Sequence, residues 1–108
     1  MKKIFYALAI VASLSFGDAM AQTQEIRCFS HRGGRMEHDE NTMEAFQASY
    51  KAGYRGFEVD IRMTSDGELV VTHDSTLDRT TNGSGTVELT TADEIRKLRT
   101  KKGNKLIF

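Results

Sequence analysis

The chain has no proline, a single cysteine (Cys28) and only 8% aromatic residues, and its 15 lysines and arginines are matched by 15 aspartates and glutamates. Each shortage excludes something. One cysteine cannot build a disulfide framework within the chain. A formal charge of zero leaves no basic stripe of the kind that counterion release on nucleic acid requires, so a nucleic-acid partner held by bulk electrostatics is excluded. Without proline, the 9 glycines are the main backbone punctuators, which suits a regular α/β chain better than a disordered or Pro-rich one. With 108 residues there is room for one domain at most.

What is present begins with an export signal. Lys2-Lys3 is followed by an apolar run from Ile4 to Phe16 and then by Ala19-Met20-Ala21, a small-x-small cleavage site before Gln22. The run is too short for a stable membrane span, and the residue directly after the cleavage point is Gln22, not a cysteine that could carry a lipid. The expectation is a signal peptide over residues 1–21 and an exported chain, periplasmic or secreted, with no stable membrane anchor. Its removal leaves 87 residues carrying 13 basic and 14 acidic groups.

After Gln22, strand-like and helix-like patterns alternate. Glu25 to Ser30 predicts a short strand with Ile26, Cys28 and Ser30 on one face, running into His31-Arg32-Gly33-Gly34, where two glycines impose a loop. Asn41 is placed as the N-cap of a helix with Glu44 at the capping-box offset, and Met43, Phe46 and Tyr50 recur at helical spacing until Gly53. Phe57 to Met63 alternates strictly, with Glu58, Asp60 and Arg62 facing away from the apolar row. Ser65-Asp66-Gly67 then predicts a hairpin turn into an antiparallel strand over Leu69 to His73. A long polar loop over 74–85 leads to a helix from Ala92 to about Leu98, capped by Thr90 or Thr91, and Leu106-Ile107-Phe108 could open a further strand.

Two groupings carry chemistry. Glu58 and Asp60 lie at i and i+2 on one strand face, so their oxygens can converge on a hard cation such as Ca²⁺ or Mg²⁺; taken alone, the same spacing is more often a solvated outer face. His31 and His73 each end a predicted strand, where a parallel barrel gathers its catalytic groups, and histidine can act as acid or base near neutral pH. His38, in an acidic polar stretch, reads as surface decoration.

These elements occur in a recognisable order. His31-Arg32-Gly33, Glu40-Asn41-Thr42 with Ala45-Phe46, Gly53, Glu58-x-Asp60, Thr64-x-Asp66-Gly67, His73-Asp74, Leu77-x-Arg79-Thr80-Thr81 and Gly85 resemble the glycerophosphodiester phosphodiesterase family from about Cys28 to Leu98. The resemblance implies the α/β class and a (β/α)₈ TIM-type barrel, which takes ~250 residues, so residues 22–108 would be a truncated N-terminal portion of it. It further implies His31 and His73 as the general acid and base, Arg32 as a clamp on the phosphodiester, Glu58 and Asp60 as two ligands of a divalent metal, and Glu40 and Asn41 as residues lining or bracing the same rim. A third carboxylate and a lysine would come from later strands. The implied partner is a small-molecule glycerophosphodiester, hydrolysed to glycerol 3-phosphate and an alcohol; the oligomeric state is not legible. Two alternatives stay open here: a related phospholipase-type phosphodiesterase acting on lipid, and an inactive exported fragment.

Overall fold

The computed structural model describes residues 25–108, and the expected export signal lies outside them. Strand β1 (Phe29–His31) and strand β2 (Gly56–Glu58) pair in parallel, with Phe29 opposite Gly56, Ser30 opposite Phe57 and His31 opposite Glu58. Helix α1 (Met43–Lys51) is the crossover between them, which makes this a βαβ unit. Strand β3 (Ile61–Met63) then pairs antiparallel with β4 (Leu69–Val71), through the expected turn in which Gly67 adopts φ +85°. A short 3₁₀ helix at Val87–Leu89 and helix α2 (Ala92–Arg96) complete the described elements.

Three expectations about local structure are corrected. Phe57 to Met63 is not one strand, because the ladder stops after Glu58 and resumes at Ile61 with a different partner. The β1 ladder ends at His31, and β4 reaches only back to Ile61. Asp60 bridges the gap by accepting the Thr72 amide on its carbonyl oxygen at 3.0 Å. Asn41 is not the N-cap. It sits at φ +57°, and Thr42, extended at φ −113°, takes the cap, its hydroxyl accepting from the Ala45 amide at 3.2 Å. Asparagine is among the few non-glycine residues that visit the left-handed region readily. The strand expected over 25–30 begins only at Phe29, with Ser30 buried and Ile26 and Cys28 exposed.

Ser30 is buried because it faces α1. The Ser49 hydroxyl donates to the Gly33 carbonyl at 2.8 Å and lies 2.7 Å from the Ser30 hydroxyl. Each hydroxyl has one hydrogen to give, so Ser30 donates to Ser49. Gly33, at φ +75°, lets the loop lie against the helix: a β-carbon there would stand 2.9 Å from that of Ala45.

The second half of the chain has its own core. Val70, Leu77, Val87 and Ile95 are essentially fully buried, with Leu98 and Leu106 packed against them; each such burial contributes about 1.5–3 kcal/mol. Of the two threonines expected to cap α2, Thr91 takes the position and forms a capping box: it accepts from the Glu94 amide while Glu94 accepts from the Thr91 amide. No strand forms over 106–108, but Ile107 accepts the Val71 amide at 2.9 Å and so runs beside β4. The apolar row Val59, Ile61, Met63 is exposed, as is Leu69 on the partner strand. The described residues close no barrel. They form one parallel βαβ step and the hairpin that follows it.

The reassigned cap has a measurable consequence. Thr42→Ala should lower stability by about 1 kcal/mol, the usual cost of losing a hydroxyl cap, read as a shift in the denaturant midpoint. An unchanged midpoint would show that Thr42 does not hold the start of α1.

Candidate active site

Three consecutive left-handed residues follow β1: Arg32 at φ +51°, Gly33 at +75° and Gly34 at +92°. The glycines adopt this at no steric cost, whereas Arg32 is held there at a cost on the order of 1 kcal/mol. Its carbonyl oxygen accepts the Asn41 amide at 2.9 Å, so the two left-handed non-glycine residues of the described chain are tied to each other. Strain of this kind, held in place by its surroundings, is characteristic of working sites.

The effect is to turn the Arg32 side chain in beneath the strand ends. The side chain is only 8% exposed, with Nη1 3.5 Å from Glu40 Oε1 and Nε 3.3 Å from Asp60 Oδ2. Neither contact is a well-formed hydrogen bond; Nε in fact has no hydrogen-bond partner, so the attraction is mainly between charges. The Arg32 backbone amide donates to Glu58 Oε2 at 3.1 Å, and Asn41 Nδ2 donates to Asp60 Oδ2 at 3.0 Å. The parallel register places His31 directly beside Glu58, with Nε2 3.7 Å from Oε2. Arg32, Glu40, Asn41, Glu58, Asp60 and His31 are thus one connected group at the C-terminal ends of β1 and β2.

His73 lies just beyond β4. Its Nδ1 is 2.8 Å from Asp74 Oδ1, and its carbonyl oxygen accepts from Arg62 Nε at 2.9 Å. Asp74 is gripped from its other side by Arg79, Nε to Oδ2 at 2.8 Å and Nη2 to Oδ1 at 3.0 Å. The same Nη2 donates to Glu40 Oε1 at 2.5 Å. His73 therefore reaches the His31 group not by contact but through Asp74, Arg79 and Glu40.

The charges reinforce one another. Hydrogen bonds from Arg79 and then His73 hold the Asp74 carboxyl well below the usual carboxylate range, against the opposing effect of its burial. For Glu40, burial is the largest influence and pushes the pKa up, but the Arg79 hydrogen bond and the charges of Arg79, Arg32 and Arg35 together bring it below the ordinary value. Arg79 is raised by Asp74 first and Glu40 second. An ionised Asp74 can only accept, so the proton between it and His73 sits on the ring nitrogen Nδ1, which leaves Nε2 directed away from the carboxylate.

Asp74 and Arg79 received no role from the sequence, although both stand in the motifs. The available signal was an acidic residue directly after a histidine at a strand end. Among the described residues, no three His, Cys, Asp or Glu side chains converge closely enough to hold a metal ion on their own. The donors present nevertheless suit a hard divalent cation as part of a larger set. Glu58 and Asp60 offer carboxylate oxygens, and the Asn41 side-chain oxygen beside them is buried without any hydrogen-bond partner.

A parallel βαβ step that sets histidine, arginine and paired carboxylates at its C-terminal rim is what the opening strands of a (β/α)₈ barrel present on the face where that fold carries its sites. Comparison with known proteins narrows this. The glycerophosphoryl diester phosphodiesterase family matches residues 31–107, and the chain belongs to that family, whose members are in general metal-dependent. A glycerophosphodiester phosphodiesterase of Caldanaerobacter subterraneus is 49% identical over 69 residues, covering 64% of this chain and 28% of the relative. Human glycerophosphodiester phosphodiesterase 1 is 43% identical over 81 residues, or 75% of this chain and 24% of the relative. Among solved structures, a glycerophosphodiester phosphodiesterase from Agrobacterium tumefaciens superposes with a TM-score of 0.71 at 37% identity, over 77% of this chain and 38% of that one. A phosphodiesterase from Oleispira antarctica, in complex with its product sn-glycerol-3-phosphate, gives 0.65 at 32% identity, over 68% and 30%. The chain spans less than two fifths of the length of each of these relatives.

The lowered carboxyls make a pH prediction. Asp74 and Glu40 contribute stability that is present above their unfolded values, about 4, and lost as pH falls through their lower folded values. Asp74→Asn should therefore flatten the decline in stability between about pH 5 and pH 2, followed by denaturant midpoints. An unchanged slope would mean that the Asp74 pairing contributes nothing to folding.

Proposed function

We propose that the protein hydrolyses small-molecule glycerophosphodiesters to glycerol 3-phosphate and an alcohol such as choline or ethanolamine, using Ca²⁺ or Mg²⁺ and the His31–His73 pair. The observation that carries this is the in-register pairing of His31 with Glu58 at the rim where Arg32 joins Glu58 to Asp60. A phosphodiester is an anion that repels nucleophiles, so its cleavage needs positive charge at the nonbridging oxygens and two proton transfers.

The residues can supply each part. Glu58 and Asp60 would hold the cation, with Asn41 bracing Asp60; once bound, it supplies Lewis-acid charge at the phosphoryl oxygens. Arg32 adds a fixed guanidinium among the same carboxylates, and a phosphodiester there would compete with Glu40 and Asp60 for it. One histidine takes a proton from the nucleophile as its oxygen bonds to phosphorus, the nucleophile being water, or the glycerol hydroxyl in a first step whose cyclic product water then opens. The other gives a proton to the departing alkoxide as its phosphorus–oxygen bond breaks. His31 and His73 approach the site from different strands, through Glu58 and through Asp74 respectively, which suits a division into one acid and one base.

In the complete protein, Glu58→Ala and Asp60→Ala should abolish hydrolysis of glycerophosphocholine, with partial recovery in excess Ca²⁺ or Mg²⁺. His31→Ala and His73→Ala should each lower turnover by about 10²- to 10⁴-fold, and together by less than the product. On a nitrophenyl phosphodiester, whose leaving group needs no proton, only the variant lacking the acid should recover. Wild-type turnover by both carboxylate variants in the presence of a chelator would overturn the metal assignment, and equal recovery by both histidine variants would overturn the division of roles.

A further inference from the structure

Arg79 has no part in the chemistry above, yet its guanidinium makes three hydrogen bonds to two carboxylates of the site. It lies in the turn that follows Leu77, and the core fixes its backbone from both sides. Leu77 is 1% exposed and Thr81 2% exposed, and the Thr81 amide and hydroxyl both bond the Leu77 carbonyl, at 3.1 Å and 2.6 Å. From this anchored turn the guanidinium makes a two-point grip on Asp74 and donates to Glu40 as well.

A surface ion pair is ordinarily worth little, and the Arg79 side chain is 49% exposed. This one differs in geometry. Two parallel N–H donors meet the two oxygens of one carboxylate, an arrangement that fixes orientation as well as distance, and the third contact goes to a carboxylate only 12% exposed. What hangs on each end is functional. Asp74 holds Nδ1 of His73, and a histidine that exchanges protons through one ring nitrogen needs the other held. Glu40 lies 3.5 Å from Nη1 of Arg32 as its opposite charge, and Arg32 in turn faces Asp60. His73 and Arg32 come from separate halves of the chain, with separate packing; beside the backbone bond from the Thr72 amide to the Asp60 carbonyl, Arg79 is the residue through which side-chain contacts between them run.

We propose that Arg79 is a positioning residue of the hydrolytic site, keeping Asp74 on Nδ1 of His73 and fixing that pair relative to Glu40 and Arg32. The proposal rests on the hydrolytic reading above for its consequence in turnover, and on geometry alone for its consequence in the histidine ring. Lysine cannot replace arginine here, because an ammonium is a single point of charge and cannot match both oxygens of Asp74 while reaching Glu40.

The test uses the complete protein with Arg79→Gln, Arg79→Lys and Asp74→Asn, read in two ways. Ring ¹⁵N chemical shifts of His73 without substrate should show the proton on Nδ1 in the wild type and a shift toward Nε2 in Arg79→Gln, with Arg79→Lys between them. On glycerophosphocholine, Arg79→Gln should lower kcat by about 10²-fold, the scale of an ångström's misplacement, while KM changes less than threefold. Asp74→Asn should give a similar loss, and the double variant should lose no more than the larger single effect. Retention of the Nδ1 proton in Arg79→Gln would overturn the proposal, as would strictly multiplicative losses in the double variant. A kcat loss that vanished at lower temperature together with a lowered unfolding midpoint would also overturn it, since that is the mark of a merely structural role. Should the wild type hydrolyse no glycerophosphodiester, the hydrolytic reading fails while the ring shifts still decide for or against the tether.

Discussion

The site depends on the burial of one guanidinium. Arg32 cannot give up its charge, and a charge taken out of water must be paired. Glu40 and Asp60 lie against its side chain, and Glu58 is drawn in by its backbone amide. Carboxylates that would repel one another in isolation are thereby gathered within one small volume at the ends of two strands. The rest of the local architecture serves this arrangement. The left-handed run through Gly33 and Gly34 turns the chain so that Arg32 points inward, the serine pair fixes that loop to α1, and Asn41 closes the circuit by bonding Arg32 through its backbone and Asp60 through its side chain. Removing one partner of such a buried group leaves another charge unpaired, a larger loss than that of any single exposed ion pair.

Much of this was legible in the chain itself. The glycine pair after Arg32, the helix ending at Gly53, the Asp-Gly hairpin and a threonine cap on α2 are local features whose side chains determine their own backbone, and all four appear, the cap falling on Thr91 of the two threonines offered. The misreadings occur where a distant contact outweighs a local preference. Asn41 is a good cap by type, but the αL backbone and the reach to Asp60 use it otherwise, and Thr42, a somewhat weaker cap by type, is one residue away. The alternation from Phe57 to Met63 continues through Val59 and Asp60, whereas strands are defined by partners, and the partner changes from β1 to β4 there. The tie from His73 to Glu40 spans 39 residues between Arg79 and Glu40, a separation at which spacing carries no information.

The same division of local and distant effects explains the exposed apolar surface. Phe29, Ile61, Met63 and Leu69 are each more than half exposed, although their types and alternation mark them for burial. In a (β/α)₈ barrel both faces of the sheet are covered, by the interior layers on one side and the helices on the other. A single βαβ step with one hairpin can cover only what α1 and the small core around Leu77 reach. The rim side chains are nonetheless held together, because their contacts run between neighbouring strand ends and do not depend on that cover.

The most direct test of the account is Arg32→Lys in the complete protein, assayed on glycerophosphocholine at saturating Ca²⁺ or Mg²⁺ alongside its unfolding transition. Lysine keeps the charge but cannot bridge Glu40 and Asp60 from one planar group. The account predicts a cooperatively folded protein whose turnover falls by about 10²-fold or more. Wild-type turnover from a folded Arg32→Lys protein would contradict it, since the carboxylates would then be organised without the guanidinium on which the site is argued to depend.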